Sequence, residues 1–351
     1  MNEFKQKVCL VVGGAGFVGS NLVRMLLDGG CTQVTVIDNL LSGERENLPT
    51  DSRVEFTQGS ISDDQVLASL TDTYDYVFHL ATYHGNQSSI ANPLADHDNN
   101  LITTLKLYER IKTFRRLKKV VYAASGCTLA PHTYNDAEAT TEDGPVPLEL
   151  DSPYQISKVV GEFYSVYYHH QHQLPTVRAR FQNVYGPGEI LGAGQWRGTP
   201  ATVWRNVTPT FIYRALKKLP LMVENHGLAS RDFIYVEDIA RGLIRCAVAG
   251  KPGDVYNLAS GVETSILELA TLANKLTDNP AAIEFLPARA WDRSGKRFGS
   301  TEKAKQEIGF EAHVTLQEGL SKAVGWTRSK LPFIDSCIQK HEVQMKAFAL
   351  V

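Results

Sequence analysis

The feature that most constrains the fold is a short apolar run that leads directly into a glycine-rich stretch. Residues Val8–Val12 form the kind of run that a buried parallel strand needs, and glycines follow at positions 13, 16 and 19. One glycine permits a tight turn, one lets a pyrophosphate approach the backbone at a helix N-terminus, and one lets the helix pack on the strand. A lone glycine motif also occurs in purely structural turns, so the flanking elements decide its meaning.

The elements after the glycines favour a dinucleotide-binding unit. A helical pattern of apolar residues ends at Gly29-Gly30, and a second apolar run over residues 34–37 ends in Asp38. An acidic side chain at that point accepts hydrogen bonds from an adenosine ribose and repels a 2′-phosphate. We therefore predict that the chain binds NAD in preference to NADP.

Strand-like and helix-like segments then continue to alternate along the chain. Such alternation predicts an α/β fold with a doubly wound parallel sheet, in which ligands bind at the carboxyl ends of the strands. Gly13, residues 79–82 and Ser125 lie at such ends, so we expect them to line one crevice. The further predicted strands are residues 53–57, 74–79, 120–125, 176–181 and 255–259.

We predict two lobes that interleave without a linker. Residues 1–185, with residues 230–260 returning to them, form an NAD-binding Rossmann domain, and residues 186–229 and 261–351 form a smaller substrate-binding lobe. Residues 189–208 are polar and rich in glycine. A segment of that length inside a compact chain is usually functional or mobile.

Composition excludes several classes of protein. The 351 residues are 43% hydrophobic with a net charge of −2, so no electrostatic signal points to nucleic acid or an anionic membrane. Five cysteines are scattered without C-x-x-C spacing, which argues against a disulfide framework or zinc site and favours a reducing compartment. No run reaches the about 18 apolar residues of a membrane span. We expect a cytoplasmic protein with no metal site, since no acidic or cysteine ligand joins the histidines at 169, 170 and 172.

Three side chains carry the predicted chemistry. Ser125 ends an apolar strand, and Tyr154 and Lys158 are four residues apart on a helix that Ser152-Pro153 opens, so they share one face. A free tyrosine ionises at about pH 10, and an ammonium one turn away favours its phenolate form. We predict the oxidation of a secondary alcohol, in which Tyr154 takes the proton, Ser125 holds the hydroxyl and the nicotinamide takes the hydride.

Together these motifs resemble the extended short-chain dehydrogenases/reductases, and within them the NAD-dependent nucleotide-sugar epimerase/dehydratase family. The resemblance covers nearly the whole chain. Residues 81–89 and 196–200 further resemble the WbmF-type enzymes of bacterial O-antigen clusters. The motifs that carry the family resemblance are Gly13-x-x-Gly16-x-x-Gly19, His79-Leu80-Ala81, Asn100 ahead of Thr103-Thr104, Ser125, Tyr154-x-x-x-Lys158, Arg180-x-x-Asn183 and Arg231-Asp232-Phe233.

The resemblance implies a nucleotide-diphosphate sugar as substrate and a homodimer formed through the helices after Pro93 and Pro153. Arg231 and Arg289 would clamp the diphosphate, a task suited to a fixed fork of donors. One departure is Gly59-Ser60 in place of the family's glycine-aspartate pair, so Ser60 or Ile61 would meet the adenine. The implied cofactor contacts are Gly13, Gly16, Phe17, Val18, Gly19, Asp38, Asn39, Ser60, Ile61, Leu80, Ala81, Thr82, Asn100, Tyr154, Lys158 and Phe181; the implied substrate contacts are His84, Asn86, Gln87, Asn183, Arg197, Asn206, Arg231 and Arg289.

The two residues after Ser125 bear on the type of reaction. The sugar 4,6-dehydratases of this family carry Asp-Glu there, and the decarboxylating members keep an acid two positions on, whereas this chain has Gly126-Cys127. The absence of these acids favours an epimerase that acts by transient oxidation of C4. A 4,6-dehydratase and a non-catalytic NAD-binding regulator remain alternatives.

Cys127 has two interpretations. It is either a small buried apolar residue, the usual fate of a free cysteine, or a base like the cysteine of the related sugar 3,5-epimerases. Those enzymes pair the cysteine with a lysine or a histidine; Arg197 stands in place of their lysine here, and arginine is a poor proton donor. His84 could take that part. A C3/C5 epimerase that uses Cys127 is therefore a further alternative.

Overall fold

A computed structural model describes residues 3–129, 133–293 and 295–349 of the chain, without the side chain of Cys127. In chain order the strands are β1 Val8–Val12, β2 Gln33–Asp38, β3 Val54–Gln58, β4 Tyr76–His79, β5 Lys119–Ser125, β6 Ala139–Thr140, β7 Thr176–Phe181, β8 Asn183–Tyr185, β9 Leu221–Glu224, β10 Ser230–Tyr235, β11 Val255–Leu258, β12 Glu263–Ser265, β13 Ile283–Leu286 and β14 Phe298–Gly299. The helices are α1 Phe17–Asp28, α2 Asp64–Ser69, α3 Asn86–Ala91, α4 Pro93–His97, α5 Thr103–Ile111, α6 Pro153–His172, α7 Val207–Leu216, α8 Val236–Ala249, α9 Ile266–Thr277, α10 Glu302–Ile308, α11 Leu316–Gln339 and α12 Glu342–Phe348, with a π-helical turn over Asp98–Ile102 between α4 and α5.

A parallel sheet of seven strands forms the centre of the molecule, in the order β11-β7-β5-β4-β1-β2-β3. The chain begins at β1, runs out to β3 at one edge, and returns to β4 on the other side of β1. The strand order therefore reverses between β1 and β4, which is where ligands bind in such sheets. This architecture confirms the predicted doubly wound α/β fold.

Helices cover both faces of this sheet. Side chains alternate along β1, so that Cys9 and Val11 pack with α1 and α8, whereas Leu10 and Val12 pack with α5 and α6. Every residue of β5 is buried, as a central parallel strand with two covered faces requires. Strand β5 therefore ends inside the molecule, and Ser125 is buried where it stops.

Smaller sheets lie beyond the central one. Strand β10 pairs with β8 and β12 in a three-stranded sheet, while β9 pairs with β13 and β6 pairs with β14. Of the segment predicted to return to the first domain, β11 joins the central sheet and β10 joins the three-stranded sheet. The division of the chain into two interleaved lobes stays a prediction.

The glycine-rich segment over residues 189–208 is packed against the long helix α11. Ile190, Leu191 and Ala193 are buried in one cluster with Ile334 and Cys337 of that helix. The main chain there uses glycines with positive φ, including Gly192, where a Cβ would lie 2.5 Å from the carbonyl oxygen of Cys337. Close backbone approach explains the glycine content of this segment.

Within the part of the chain that the structure describes, no helix is both long enough and apolar enough to cross a lipid bilayer.

The packing of α6 against β5 gives a testable prediction about stability. A Cβ on Gly161 of α6 would overlap the buried hydroxyl of Tyr122 on β5. We expect Gly161→Ala to lower the free energy of unfolding by about 1–3 kcal/mol, because overpacking displaces a helix from its strand. Urea denaturation measures this change.

Gly325→Ala is the matched control, since Gly325 is an exposed position of α11 where an added Cβ meets no atom within 4 Å. Alanine there should be neutral or stabilising by up to about 1 kcal/mol, because glycine is a poor helix former. Equal destabilisation by the two substitutions would show that the contact with Tyr122 does not limit the packing of α6.

Candidate active site

The glycine-rich turn after β1 forms a cradle that fits a pyrophosphate. Gly13 has φ +87°, and a Cβ there would lie 2.5 Å from the backbone nitrogen of Ala81. Gly16 precedes α1 and offers no side-chain cap to its first turn, so the N–H groups at this helix terminus are open to an anion. A Cβ on Gly19 would overlap the carbonyl oxygen of Gly13. The residues present thus match the space and the donors that a dinucleotide requires.

Asp38 stands beside this cradle at the end of β2. Its Oδ2 accepts a hydrogen bond from the backbone nitrogen of Ala15 at 2.9 Å, and its Oδ1 accepts one from the backbone nitrogen of Leu40 at 2.9 Å. Burial raises the pKa of the Asp38 carboxyl, and these backbone donors oppose that rise. The side chain ties the glycine turn to the loop after β2 and lines the cleft where a ribose would lie.

Ser125, Tyr154 and Lys158 meet on one wall of the cleft. The hydroxyl of Ser152 caps α6 by accepting from the backbone nitrogen of Gln155, so Tyr154 and Lys158 fall in the first two turns of the helix. Lys158 is buried, and its Nζ donates to the carbonyl oxygen of Ala123 on β5 at 2.9 Å. The same Nζ lies 5.8 Å from the ring centroid of Tyr154. A hydroxyl, a phenol and an ammonium thus converge beside the dinucleotide cradle.

The structure gathers most of the predicted contact residues into one cleft. Two of them, Asn100 and Arg197, lie outside its lining, and the side chain of Cys127 is outside the described residues. The predicted residues that line the cleft are Gly13, Gly16, Phe17, Val18, Gly19, Asp38, Asn39, Ser60, Ile61, Leu80, Ala81, Thr82, His84, Asn86, Gln87, Ser125, Tyr154, Lys158, Phe181, Asn183, Asn206, Arg231 and Arg289.

Asn100 is buried behind the cleft wall, where it links two elements of the site. Its Oδ1 accepts from the backbone nitrogen of Tyr83 at 2.7 Å and from the hydroxyl of Thr82 at 3.0 Å. Its Nδ2 donates to Asp96 and to the hydroxyl of Ser157. These bonds hold the loop after β4 against α6, so Asn100 positions the wall that carries Tyr154.

The two arginines predicted to clamp a diphosphate differ in their surroundings. Arg231 is buried and donates through Nη1 to the carbonyl oxygens of Ser230 and Gly295, and its Nη2 lies 3.7 Å from Asp292. Arg289 is exposed and its Nε pairs with Glu224. Both line the cleft, as does Arg297 of the same basic loop. Their assignment to the diphosphate stays a prediction.

The structure adds charged residues to the cleft that the sequence did not single out. Glu189 is buried and its Oε1 accepts a hydrogen bond from Nδ2 of Asn206. Burial raises the pKa of Glu189 to about 7. Arg205 also lines the cleft, as does Gln182 beside Gly126. The polar composition of residues 189–208 was the sequence feature that pointed to Glu189 and Arg205. No pattern within that segment shows which of its side chains face the cleft.

His84 stands beside Tyr154, the predicted general base. Its ring centroid lies 6.2 Å from that of Tyr154, and its buried Nδ1 has no hydrogen-bond partner among the described residues. Burial, reinforced by the charges of Arg205 and Arg197, lowers the pKa of His84 to about 3. The imidazole is therefore neutral at physiological pH and is a poor proton donor, which weakens its case as the partner of Cys127.

Comparison with known proteins bears on this geometry. The model of the NAD dependent epimerase/dehydratase family matches residues 9–259, more than half of the chain. The chain belongs to this family. Membership confirms the predicted family, the predicted enzyme class and NAD as the cofactor of this epimerase/dehydratase.

Individual relatives agree with that assignment. A crystal structure of the Bordetella bronchiseptica enzyme WbmF in complex with NAD+ and UDP is 61% identical, with a TM-score of 0.90, and covers 99% of this chain and 100% of that one. UDP-glucose 4-epimerase of Mycolicibacterium smegmatis is 31% identical over 92% of this chain and 98% of its own length. A dTDP-glucose 4,6-dehydratase of Actinoplanes is 30% identical over 91% and 97% respectively. The relatives thus include both epimerases and a dehydratase, and the choice between these reactions rests on the site.

The buried carboxyl of Glu189 gives a prediction about pH. Below pH 4.5 it is protonated in both states; between pH 4.5 and 7 only the unfolded chain releases its proton, so stability falls as pH rises through this window. Glu189→Gln keeps the acceptor for Asn206 and removes the titration. The variant should gain about 1–3 kcal/mol relative to the wild type between pH 5 and pH 8.

Urea denaturation of both proteins at the two pH values measures that gain. A difference in stability that is the same at pH 5 and pH 8 would show that the substitution alters packing and that Glu189 does not titrate in this window.

Proposed function

We propose that this epimerase/dehydratase is a UDP-sugar epimerase that inverts C4 through transient oxidation by NAD. The observation that carries the proposal is the meeting of Ser125, Tyr154 and Lys158 beside the dinucleotide cradle, with no carboxylic acid in the two positions after Ser125. The WbmF structure that contains UDP supports a UDP-sugar as substrate. The resemblance of residues 81–89 and 196–200 to WbmF-type enzymes supports a role in bacterial O-antigen synthesis.

Ser125, Tyr154 and Lys158 each have a role in this reaction. The bound cofactor accepts hydride from C4 and returns it. Tyr154 takes the proton of the C4 hydroxyl, helped by the Lys158 ammonium, whose positive charge stabilises a phenolate. Ser125 donates its hydroxyl hydrogen to the sugar oxygen. The keto sugar then turns within the cleft and presents the opposite face of C4 for the return of hydride. Tyr154 gives the proton back to the C4 oxygen.

The surroundings of Gly126 favour epimerisation over dehydration. A Cβ at position 126 would overlap the carboxamide of Gln182, so the place of an acid side chain is filled by a group that carries no titratable proton. Dehydration requires an acid that protonates the leaving hydroxyl. Two buried acids line the described part of the cleft: Asp38 stands beside the dinucleotide cradle, and Glu189 is hydrogen-bonded to Asn206 on the segment after β8.

A labelling experiment tests the proposal. The NAD-loaded enzyme is incubated with UDP-, GDP- and TDP-sugars in heavy water, and the products are read by NMR. We expect a C4 epimer with no deuterium on carbon, because the enzyme returns the same hydride that it removed. Tyr154→Phe should lower turnover about 10²- to 10⁴-fold, the usual contribution of a general base, while NAD stays bound.

Other outcomes assign other functions. Deuterium at C3 or C5 that disappears in Cys127→Ser would establish the C3/C5 epimerase. A 4-keto-6-deoxy product would establish the dehydratase. No turnover of any sugar, with NAD tightly bound, would identify a regulator.

We also propose that the enzyme is a homodimer formed through the outer faces of α4 and α6. Ile156, Phe163 and Tyr167 are half or more exposed and share one face of α6, while Leu94 of α4 is 77% exposed. A contiguous exposed apolar face marks an interaction surface, and two copies of the chain would cover it.

Phe163→Glu should convert the dimer to a monomer, because it places a charge in the centre of this face. Val343→Glu is the control, since Val343 is 78% exposed on α12, which is neither of the two helices proposed to form the interface. Light scattering after gel filtration measures the mass of each variant. A wild type of monomer mass, or equal dissociation by both substitutions, would contradict the proposed dimer.

We further propose a cytoplasmic location and the two-lobe division given by the sequence. The cysteines at 9, 31, 246 and 337 are free thiols in the structure, which supports a reducing compartment.

A further inference from the structure

Asp96 is a buried carboxyl group outside the three side chains of the proposed chemistry. It lies in α4, is 1% exposed, and its Oδ1 accepts a hydrogen bond from Nδ2 of Asn100 at 2.8 Å. Asn100 belongs to the π-helical turn that follows α4. An aspartate is almost never this deeply buried unless a hydrogen bond or a cation compensates its charge. The groups around Asp96 therefore bear on its role.

Hydrogen bonds connect this carboxyl to the helix that carries the predicted general base. The same Nδ2 atom of Asn100 also donates to Oγ of Ser157 on α6 at 3.0 Å, so the Asp96 carboxyl and the Ser157 hydroxyl meet at one nitrogen. The Ser157 hydroxyl in turn donates to the carbonyl oxygen of Tyr154 at 3.0 Å, and Lys158 is the next residue along the helix. The carboxyl is thus tied to the helical turn from which Tyr154 and Lys158 both project.

Asp96 is ionised at physiological pH. Burial raises the pKa of its carboxyl to about 6, against the hydrogen bond of Ser157 and the charge of Lys158, which lower it. Lys158 is the buried cation beside this network, and its Nζ lies 5.4 Å from the ring centroid of Tyr122 and 5.8 Å from that of Tyr154. The titratable groups that face Asp96 in the described part of the chain are His97 of α4, Lys158 of α6, Tyr122 of β5 and Tyr83 of the loop after β4.

The proposed epimerisation places two opposite demands on Tyr154. The phenol takes a proton from the C4 hydroxyl and later returns it, and such transfers are most efficient when the proton affinity of the group suits the working pH. The ammonium of Lys158 favours the phenolate, which helps the return of the proton less than its removal. A carboxylate in the same buried network opposes the ammonium and favours the return.

We propose that Asp96 is a positioning residue whose buried carboxylate offsets the charge of Lys158, so that Tyr154 can both take the sugar proton and return it. The inference rests on the proposed function and adds a residue to its site. Asp96 does not line the cleft, so it acts through Lys158 and touches neither the sugar nor the cofactor.

Asp96→Asn tests the proposal, because it removes the charge and keeps an oxygen that can accept from Asn100. The ultraviolet absorbance of tyrosinate is titrated in the NAD-loaded enzyme without sugar, and subtraction of the same titration after Tyr154→Phe isolates Tyr154. We expect Asp96→Asn to move the midpoint for Tyr154 to lower pH by about one pH unit, since a negative charge no longer opposes the phenolate. The acid limb of kcat for sugar turnover should move by the same amount.

Two further variants control the experiment. Asp98→Asn removes an exposed carboxylate two residues further along the chain, where water screens the charge, so it should move neither the midpoint nor the limb. Asp96→Thr is a second uncharged variant, which keeps a hydroxyl for Asn100 and repeats the test if Asp96→Asn folds poorly. Circular dichroism checks the fold of each variant, and the absorbance of released cofactor checks its NAD content.

Three results would overturn the role of Asp96. The midpoint for Tyr154 stays in place in a folded uncharged variant; Asp98→Asn moves it as far as Asp96→Asn does, which makes the effect one of surface charge; or kcat falls equally at every pH while its acid limb stays in place, which makes Asp96 a purely structural residue.

The two proposals fail separately. If the sugar is epimerised at C4 and the midpoint does not move, the proposed function stands and the inference alone fails. If no sugar is turned over, the proposed function fails, and the midpoint, which is measured without sugar, still decides whether Asp96 offsets Lys158.

Discussion

The packing of helix α6 against strand β5 is the interaction on which the site depends. Lys158 of the helix donates to the carbonyl oxygen of Ala123 in the strand, two residues before Ser125. One hydrogen bond thus fixes the ammonium relative to both the serine and the phenol of Tyr154. Asn100 secures the other side by joining the loop after β4 to Ser157 of the same helix. The three side chains of the proposed chemistry are thus held by a strand of the central sheet and a helix packed on it, as precise positioning of reacting groups requires.

The part of the cleft proposed to bind the sugar is built differently from the wall that carries Tyr154 and Lys158. Glu189, Arg205 and Asn206 line it from the segment over residues 189–208, which follows the end of β8 and has one short turn before α7 begins at Val207. That segment is held from outside, by apolar contact with α11 and by the hydrogen bond of His341 to the carbonyl oxygen of Gly192. Under the proposed function, sugar preference can therefore change through this segment while the wall that carries Tyr154 and Lys158 stays as it is. The mixture of epimerases and a dehydratase among relatives of about 30% identity fits such an arrangement.

Sequence reasoning predicted the parts of this fold that local physics determines. Buried parallel strands are apolar throughout, and glycines that must admit a close backbone neighbour lie at fixed spacings. The sequence therefore predicted β1, the turn at Gly13 and the acidic side chain of Asp38. The four-residue spacing of Tyr154 and Lys158 likewise fixed their common face. Burial within an irregular segment follows no period, so nothing in the chain alone marked Glu189 or Arg205 as facing the cleft. The role of Asn100 was also hidden, because a buried amide that links two elements has the same sequence signal as one that touches a ligand.

The dependence of residues 190–193 on α11 has a consequence for how the protein is made. The glycine cradle, β4, β5 and the start of α6 all lie in the first half of the chain, whereas α11, which packs against residues 190–193, is close to its end. Domains form during synthesis as their residues emerge, N-terminal parts first. The buried packing of residues 190–193 can therefore form only after α11 has left the ribosome, whereas the hydrogen bond between Lys158 and Ala123 joins residues that emerge much earlier.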